Sequence, residues 1–109
     1  MTTLYLILLK YIRPPEEVTA HVEEHRAYLR RHYTAGDFIV SGPRVPPEGG
    51  VILARAASEA DARALIADDP FSQLGIAEYQ LIPFDALWSA PGFAALLETP
   101  PAAPPAAES

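Results

Sequence analysis

The chain has 109 residues and a formal net charge of −6, with eight basic side chains against 14 acidic ones. Phosphate binding needs clustered Lys and Arg, and here only Arg30 and Arg31 adjoin, so a nucleic-acid or anionic-membrane surface is not expected. With no cysteine there is no disulfide framework, thiolate metal site or cysteine nucleophile, which suits a reducing cytoplasm.

Residues 3–11, TLYLILLKY, are rich in β-formers and apolar on both alternating faces as far as Leu9. The apolar run 4–9 is far too short for a membrane span, and no charged segment precedes it as in a signal peptide, so a strand is predicted. Such a strand wants cover on both sides. In so small a chain two helices cover only one face of a sheet, and the other face is expected to meet a second subunit in a homodimer.

Pro14-Pro15-Glu16-Glu17 marks a helix entrance: proline pre-sets φ in the first turn and the acids face the positive end of the helix dipole. Gly36 is the expected stop. Between them Val18, Val22, His25 and Leu29 follow i, i+4, i+7, i+11 spacing, one apolar stripe with an inward-facing histidine in its middle. Residues 37–41 read as a second strand that breaks at Gly42-Pro43, and the PPEGG stretch 46–50 turns the chain into a third strand over 51–56, completing a hairpin.

Ser58 followed by Asp61 resembles a capping box, with Ala62, Leu65 and Ile66 on the buried side of a short second helix. Pro70 disfavours helical geometry at Asp69, so the helix is expected to end there and leave that carboxylate at a chain reversal. Residues 75–84, GIAEYQLIPF, supply a fourth strand in which Pro83 marks an edge or an exit from the ladder. The domain is thus expected over 1–84. Residues 85–98, with Trp88, Phe93, Leu96 and Leu97, are expected to form a short helix against the body or a partner subunit. The Ala/Pro-rich stretch 99–109 reads as a disordered tail. The order strand, helix, strand, strand, helix, strand is the α+β ferredoxin-like βαββαβ arrangement.

Taken as residue types alone, His25 and Asp69 have two readings. One is an acid/base pair; the other is a core histidine satisfied by a nearby acceptor, with Asp-Pro as an ordinary helix stop. A metal site is not expected from His21, His25 and His32. Three ligands along three turns of one helix do not converge on an ion, and His32 stands about 10 Å along the axis from His25. His21 and His32 are expected to be solvated. Ser41 lacks the strained G-x-S-x-G setting of a nucleophile, but its hydroxyl and the Gly42 amide are candidates for holding a ligand, and Arg44 for pairing with an anionic group on it. Tyr5, Tyr11, Tyr28 and Tyr79 are mainly packing candidates. Gly49-Gly50 precedes a strand, without the helix amides that hold a pyrophosphate, and no cofactor is expected.

From residue 4 to residue 84 the chain resembles the YciI-like family of dimeric α+β barrel proteins. The likeness rests on His25-Arg26-Ala27-Tyr28-Leu29, on Ser41-Gly42-Pro43, and on Asp69-Pro70-Phe71 followed by Gly75. Arg26 departs from the leucine more usual after the histidine. The resemblance implies a homodimer built around its sheets, and a His-Asp pair in a pocket beside the sheet, here His25 and Asp69. The clearest activity in the family resembles elimination of halide from a hydroxylated aromatic ring. On that basis the chain is expected to be a small cytoplasmic enzyme, of lyase type, acting on a small aromatic or apolar molecule with His25 as acid/base and Asp69 as its orienting partner. Two other readings stand beside it: a non-catalytic module that binds a small molecule or a protein, and a cofactor-free monooxygenase-like barrel.

Overall fold

In the computed structural model, which describes residues 2–98, strands β1 (Thr3–Tyr11), β2 (Phe38–Pro43), β3 (Gly49–Arg55) and β4 (Ala77–Asp85) form one antiparallel sheet of order β2-β3-β1-β4. Helices α1 (Pro15–Ala20) and α2 (Val22–Ala35) connect β1 to β2, and α3 (Glu59–Ala67) and α4 (Pro70–Gln73) connect β3 to β4. A last helix, α5 (Phe93–Glu98), follows the sheet. This is the α+β, ferredoxin-like order that the sequence predicts.

The two-sided apolar character of β1 sorts its residues by alternation. Tyr5, Ile7 and Leu9 point to the helices and are buried with Phe38, Ile52 and Ala54 of the neighbouring strands, Tyr28, Leu29 and Tyr33 of α2, and Phe71 of α4. Each buried Leu, Ile or Phe among them contributes roughly 1.5–3 kcal/mol by leaving water. On the opposite face Leu6 lies between Leu53 and Ile82, and Leu8 beside Val51. At one end of that face Leu4 is buried beside Arg55, which bonds to α5, while the margins are more open, with Val40 and Phe84 57% and 43% exposed.

Several boundaries differ from expectation for local reasons. The helix expected from Pro14 to Gly36 is interrupted at His21 (φ −119°, ψ 9°), where the His21 N–H closes a tight turn on the Val18 carbonyl at 3.1 Å. It does stop at Gly36, in the left-handed region at φ 85°. There Gly36 N–H donates to Tyr33 O and Asp37 N–H to His32 O, the paired bonds of a Schellman turn. β3 begins at Gly49 because both glycines join the ladder, opposite Lys10 and Leu9. A Cβ at Gly49 would lie 1.9 Å from the Leu9 carbonyl oxygen, so only glycine permits that approach. α3 is capped as predicted, Ser58 Oγ accepting from Asp61 N–H at 3.1 Å. Pro83 stays within β4, an edge strand, where a missing N–H can face outward.

Of residues 85–98, Asp85 still belongs to β4 and only the stretch from Phe93 is helical. Arg55 donates to the Leu96 carbonyl, which ties α5 to its own body. The tail expected over 99–109 lies outside the described residues. Among the described residues no helix is long and apolar enough to cross a membrane.

Candidate active site

Asp69 sits in extended backbone (φ −75°, ψ 125°) between α3 and α4, and its side chain caps α4, Oδ1 accepting from the Phe71 N–H at 3.0 Å. Asp at the cap followed by Pro at the first helical position is a helix start as well as a stop. That cap aims the carboxylate at α2. His25, on the buried side of α2, brings Nδ1 to 2.9 Å from Asp69 Oδ1. The carboxylate is fully buried, whereas the imidazole keeps 13% of its surface exposed.

Two aromatic residues complete the setting. The His25 ring stacks on Phe71 with centroids 4.3 Å apart and planes 4° from parallel, so the turn that orients Asp69 also supplies the surface on which the imidazole lies. Tyr79, on the helix-facing side of β4, donates its hydroxyl to Asp69 Oδ2 at 2.5 Å. Burial, reinforced by the Asp69 charge, pushes the Tyr79 phenol far above its ordinary value, so it remains a donor. Tyr11, stacked edge-on against Phe71, is pushed the same way by the same two causes.

The carboxylate thus accepts from three groups: a backbone N–H, a phenol and an imidazole. An ionised carboxylate has no proton to give, so these partners assign the proton of the neutral ring to Nδ1 and leave the Nε2 lone pair available. His25 lines a cleft of about 70 Å³ together with Tyr11, Leu29, Ser41, Gly42 and Val51. Asp69 does not line it and stands behind the histidine. Such an arrangement can take a proton from a bound molecule or return one, the carboxylate stabilising the imidazolium that forms.

Of the ligand-holding candidates, Ser41 and Gly42 reach the cleft. The Ser41 hydroxyl is already paired with that of Tyr33 at 2.6 Å. Arg44 lies outside the cleft lining; its backbone N–H donates to Gly49 O within the hairpin, and its guanidinium donates to the Leu9 carbonyl of β1 at 3.4 Å.

The histidines are separated, each with its own carboxylate, and among the described residues no three His, Asp or Glu side chains are grouped to hold a metal. His21 is the more open one, paired with Glu24 at 2.9 Å. The expectation that His32 is solvated is corrected: it is 15% exposed, with Nδ1 at 2.8 Å from Asp37 and Nε2 at 2.7 Å from Asp68. The Schellman turn folds Asp37 back onto it, and the α3–α4 turn brings Asp68 from the other side. Sequence reading also treated Tyr79 as packing. Its bond to a residue ten positions earlier depends on the tertiary fold.

Residues 3–85 match the family model of the YCII-related domain. Among solved structures, the chain is similar to 5-chloro-2-hydroxyhydroquinone dehydrochlorinase (TftG) from Burkholderia phenoliruptrix AC1100, determined in complex with 2,5-dihydroxybenzoquinone. The two share 21% identity over 75% of this chain and 93% of that one, with a TM-score of 0.64. It is more distantly similar to SnoaB, a cofactor-independent oxygenase from Streptomyces nogalater, at 15% identity over 82% and 96% of the two chains and a TM-score of 0.46. No curated protein sequence matches the chain.

Proposed function

The chain belongs to the YCII-related domain family, and from that premise we propose that it is an enzyme of lyase type, in which His25, oriented by Asp69, moves protons on a small hydroxylated aromatic molecule held in the cleft. The observation that carries this reading is the placement of the imidazole, bound at Nδ1 by a fully buried carboxylate while its ring lines an open cleft. A histidine serving only as a core residue has no need of a cleft. Elimination suits a single acid/base group. A hydroxyl proton of a halogenated hydroquinone is moved to the halogen-bearing carbon; loss of a second hydroxyl proton then forms a carbonyl and expels halide with the bonding pair. The net loss is one hydrogen halide, and no electron acceptor is consumed.

The same proposal includes a homodimer joined through the open sheet face. Leu6, Leu8, Val51 and Leu53 cover its centre, and a shallow groove there is bordered by Ser41, Gly42 and Pro43, which also line the cleft. A second copy on that face would therefore lie along one lip of the site.

The test is halide release from a panel of halogenated hydroquinones and catechols, with oxygen uptake followed in parallel. Release without oxygen uptake, lost in His25→Gln and lowered by about 10²–10⁴ in Asp69→Asn, is the expected result. Release that persists in His25→Gln, or no release together with no binding of any panel member, overturns the reading.

A further inference from the structure

His25 and His32 lie seven residues apart on α2, two turns and about 10 Å along the axis, and a rotation of 700° brings them to nearly the same face. The carboxylates they meet are adjacent in the chain: Asp69 for His25 and Asp68 for His32. These two residues form the hinge between α3 and α4. Asp68 is helical (φ −80°, ψ −11°) and Asp69 extended, with the backbone N–H groups returned to Ala64 O and Ile66 O. One hydrogen bond between helix and hinge fixes a distance and leaves the hinge free to swivel. Two bonds, two turns apart, also fix its tilt.

We propose that His32 is a positioning residue: by holding Asp68 it sets the hinge against α2 and thereby the geometry of the His25–Asp69 pair. Its own ring is fixed independently. Nδ1 is held by Asp37, the residue after the Schellman glycine, and the ring lies between Tyr28 and Phe38 at centroid distances of 4.9 and 5.0 Å. One ring nitrogen thus meets Asp37 and the other Asp68, so the ring bridges the end of α2 and the hinge. The charged groups around it are Asp37 from the residue before β2, Asp68 from the hinge, and Arg31 from α2, whose guanidinium reaches the same Asp68 oxygen at 3.4 Å. The hydrogen bond from His32, aided by Arg31, holds the Asp68 carboxyl below its ordinary value, in keeping with a bound anion at the hinge. The proposal concerns the geometry of the pair; only its effect on turnover rests on the acid/base role assigned above.

The experiment is imidazole nitrogen NMR of the full-length protein without substrate, which reads the His25 tautomer and the exchange of its Nδ1 proton with water. The wild type is expected to show one tautomer with a slowly exchanging Nδ1–H. In His32→Gln the exchange is expected to accelerate at least tenfold and the second tautomer to appear, with far-UV circular dichroism unchanged. His21→Gln removes a comparable helix-surface pair, and Ser58→Ala removes the α3 cap; both are expected to leave the His25 signature as in the wild type. A folded His32→Gln protein whose His25 tautomer and exchange rate match the wild type overturns the proposal. Should that variant not fold, Asp68→Ala, which removes the acceptor, decides in the same way: accelerated exchange supports the clamp, and an unchanged signature overturns it. No reading depends on turnover, so a protein that fails the halide assay can still pass or fail this one.

Discussion

Tyr79→Phe is the sharpest perturbation of the site, because it removes one oxygen and keeps the ring. The hydroxyl is the donor to Asp69 Oδ2, and Asp69 is fully buried, so the oxygen it leaves has no route to bulk water. A hydrogen bond to a charged group contributes about 1.5–3 kcal/mol net, and an orphaned buried acceptor retains its desolvation penalty. The loss is therefore expected to be about 2 kcal/mol, which in a domain of this size lowers the midpoint of thermal unfolding by roughly 8–16 °C. Asp69→Ala should cost about twice as much, since it strands the phenol, the Phe71 N–H and the imidazole together. Urea unfolding at one fixed protein concentration, followed by far-UV circular dichroism, gives both numbers. Trp88 is 90% exposed and would make a poor fluorescence probe. In the double variant Tyr79→Phe/Asp69→Ala the effects should fall short of additivity by about 1 kcal/mol or more, as expected of direct partners. A loss below about 0.5 kcal/mol for Tyr79→Phe, or full additivity, would refute the picture of a buried phenol holding the carboxylate.

Gly49→Ala sets a methyl group against the Leu9 carbonyl and should cost about 3 kcal/mol or more by forcing β1 and β3 apart, read as a lower urea midpoint. Alkaline pH should unfold the protein for a different reason: Tyr11, Tyr28, Tyr33 and Tyr79 are all pushed up, with burial the first cause in each. Protons held more tightly in the folded state add stability that is fully present below the unfolded value and is lost as pH rises beyond about 10. Tyrosinate absorbance is thus expected to emerge together with loss of circular dichroism, and a tyrosinate step in a still-folded protein would count against it. Leu53→Lys places a charge at the middle of the open sheet face and should convert the proposed dimer to a monomer in sedimentation velocity; an unchanged sedimentation coefficient would move the interface elsewhere.

Much of this architecture was written in local patterns. The apolar run of β1, the left-handed glycine after α2 and the Ser58 cap each belong to one short segment and its own chemistry, and each is found where that chemistry predicts. α4 is not legible in the sequence, because four residues carry no periodicity and Asp69-Pro70 reads equally as the end of α3. Gly49 and Gly50 looked like turn residues until β1 was laid beside them. In the site, the spacing on α2 pointed His25 inward, and the family likeness paired it with Asp69. Nothing in spacing could bring Tyr79 to the other carboxylate oxygen, or two acids to His32 from positions 37 and 68, since those meetings are made by chain turns that close only when the sheet has formed.

The cap that Asp69 provides for α4 has an evolutionary consequence. A relative of this chain with no proton transfer to perform would still need that carboxylate to start α4 and to satisfy Tyr79, so folding alone would preserve it. His25 also packs, its ring stacked on Phe71 and bonded to Asp69, but it starts no helix and part of it stays exposed at the cleft. Under the proposed acid/base role, folding alone would hold the histidine less tightly than the aspartate, so among relatives of this protein a histidine at the position of His25 is the better sign that such chemistry is in use.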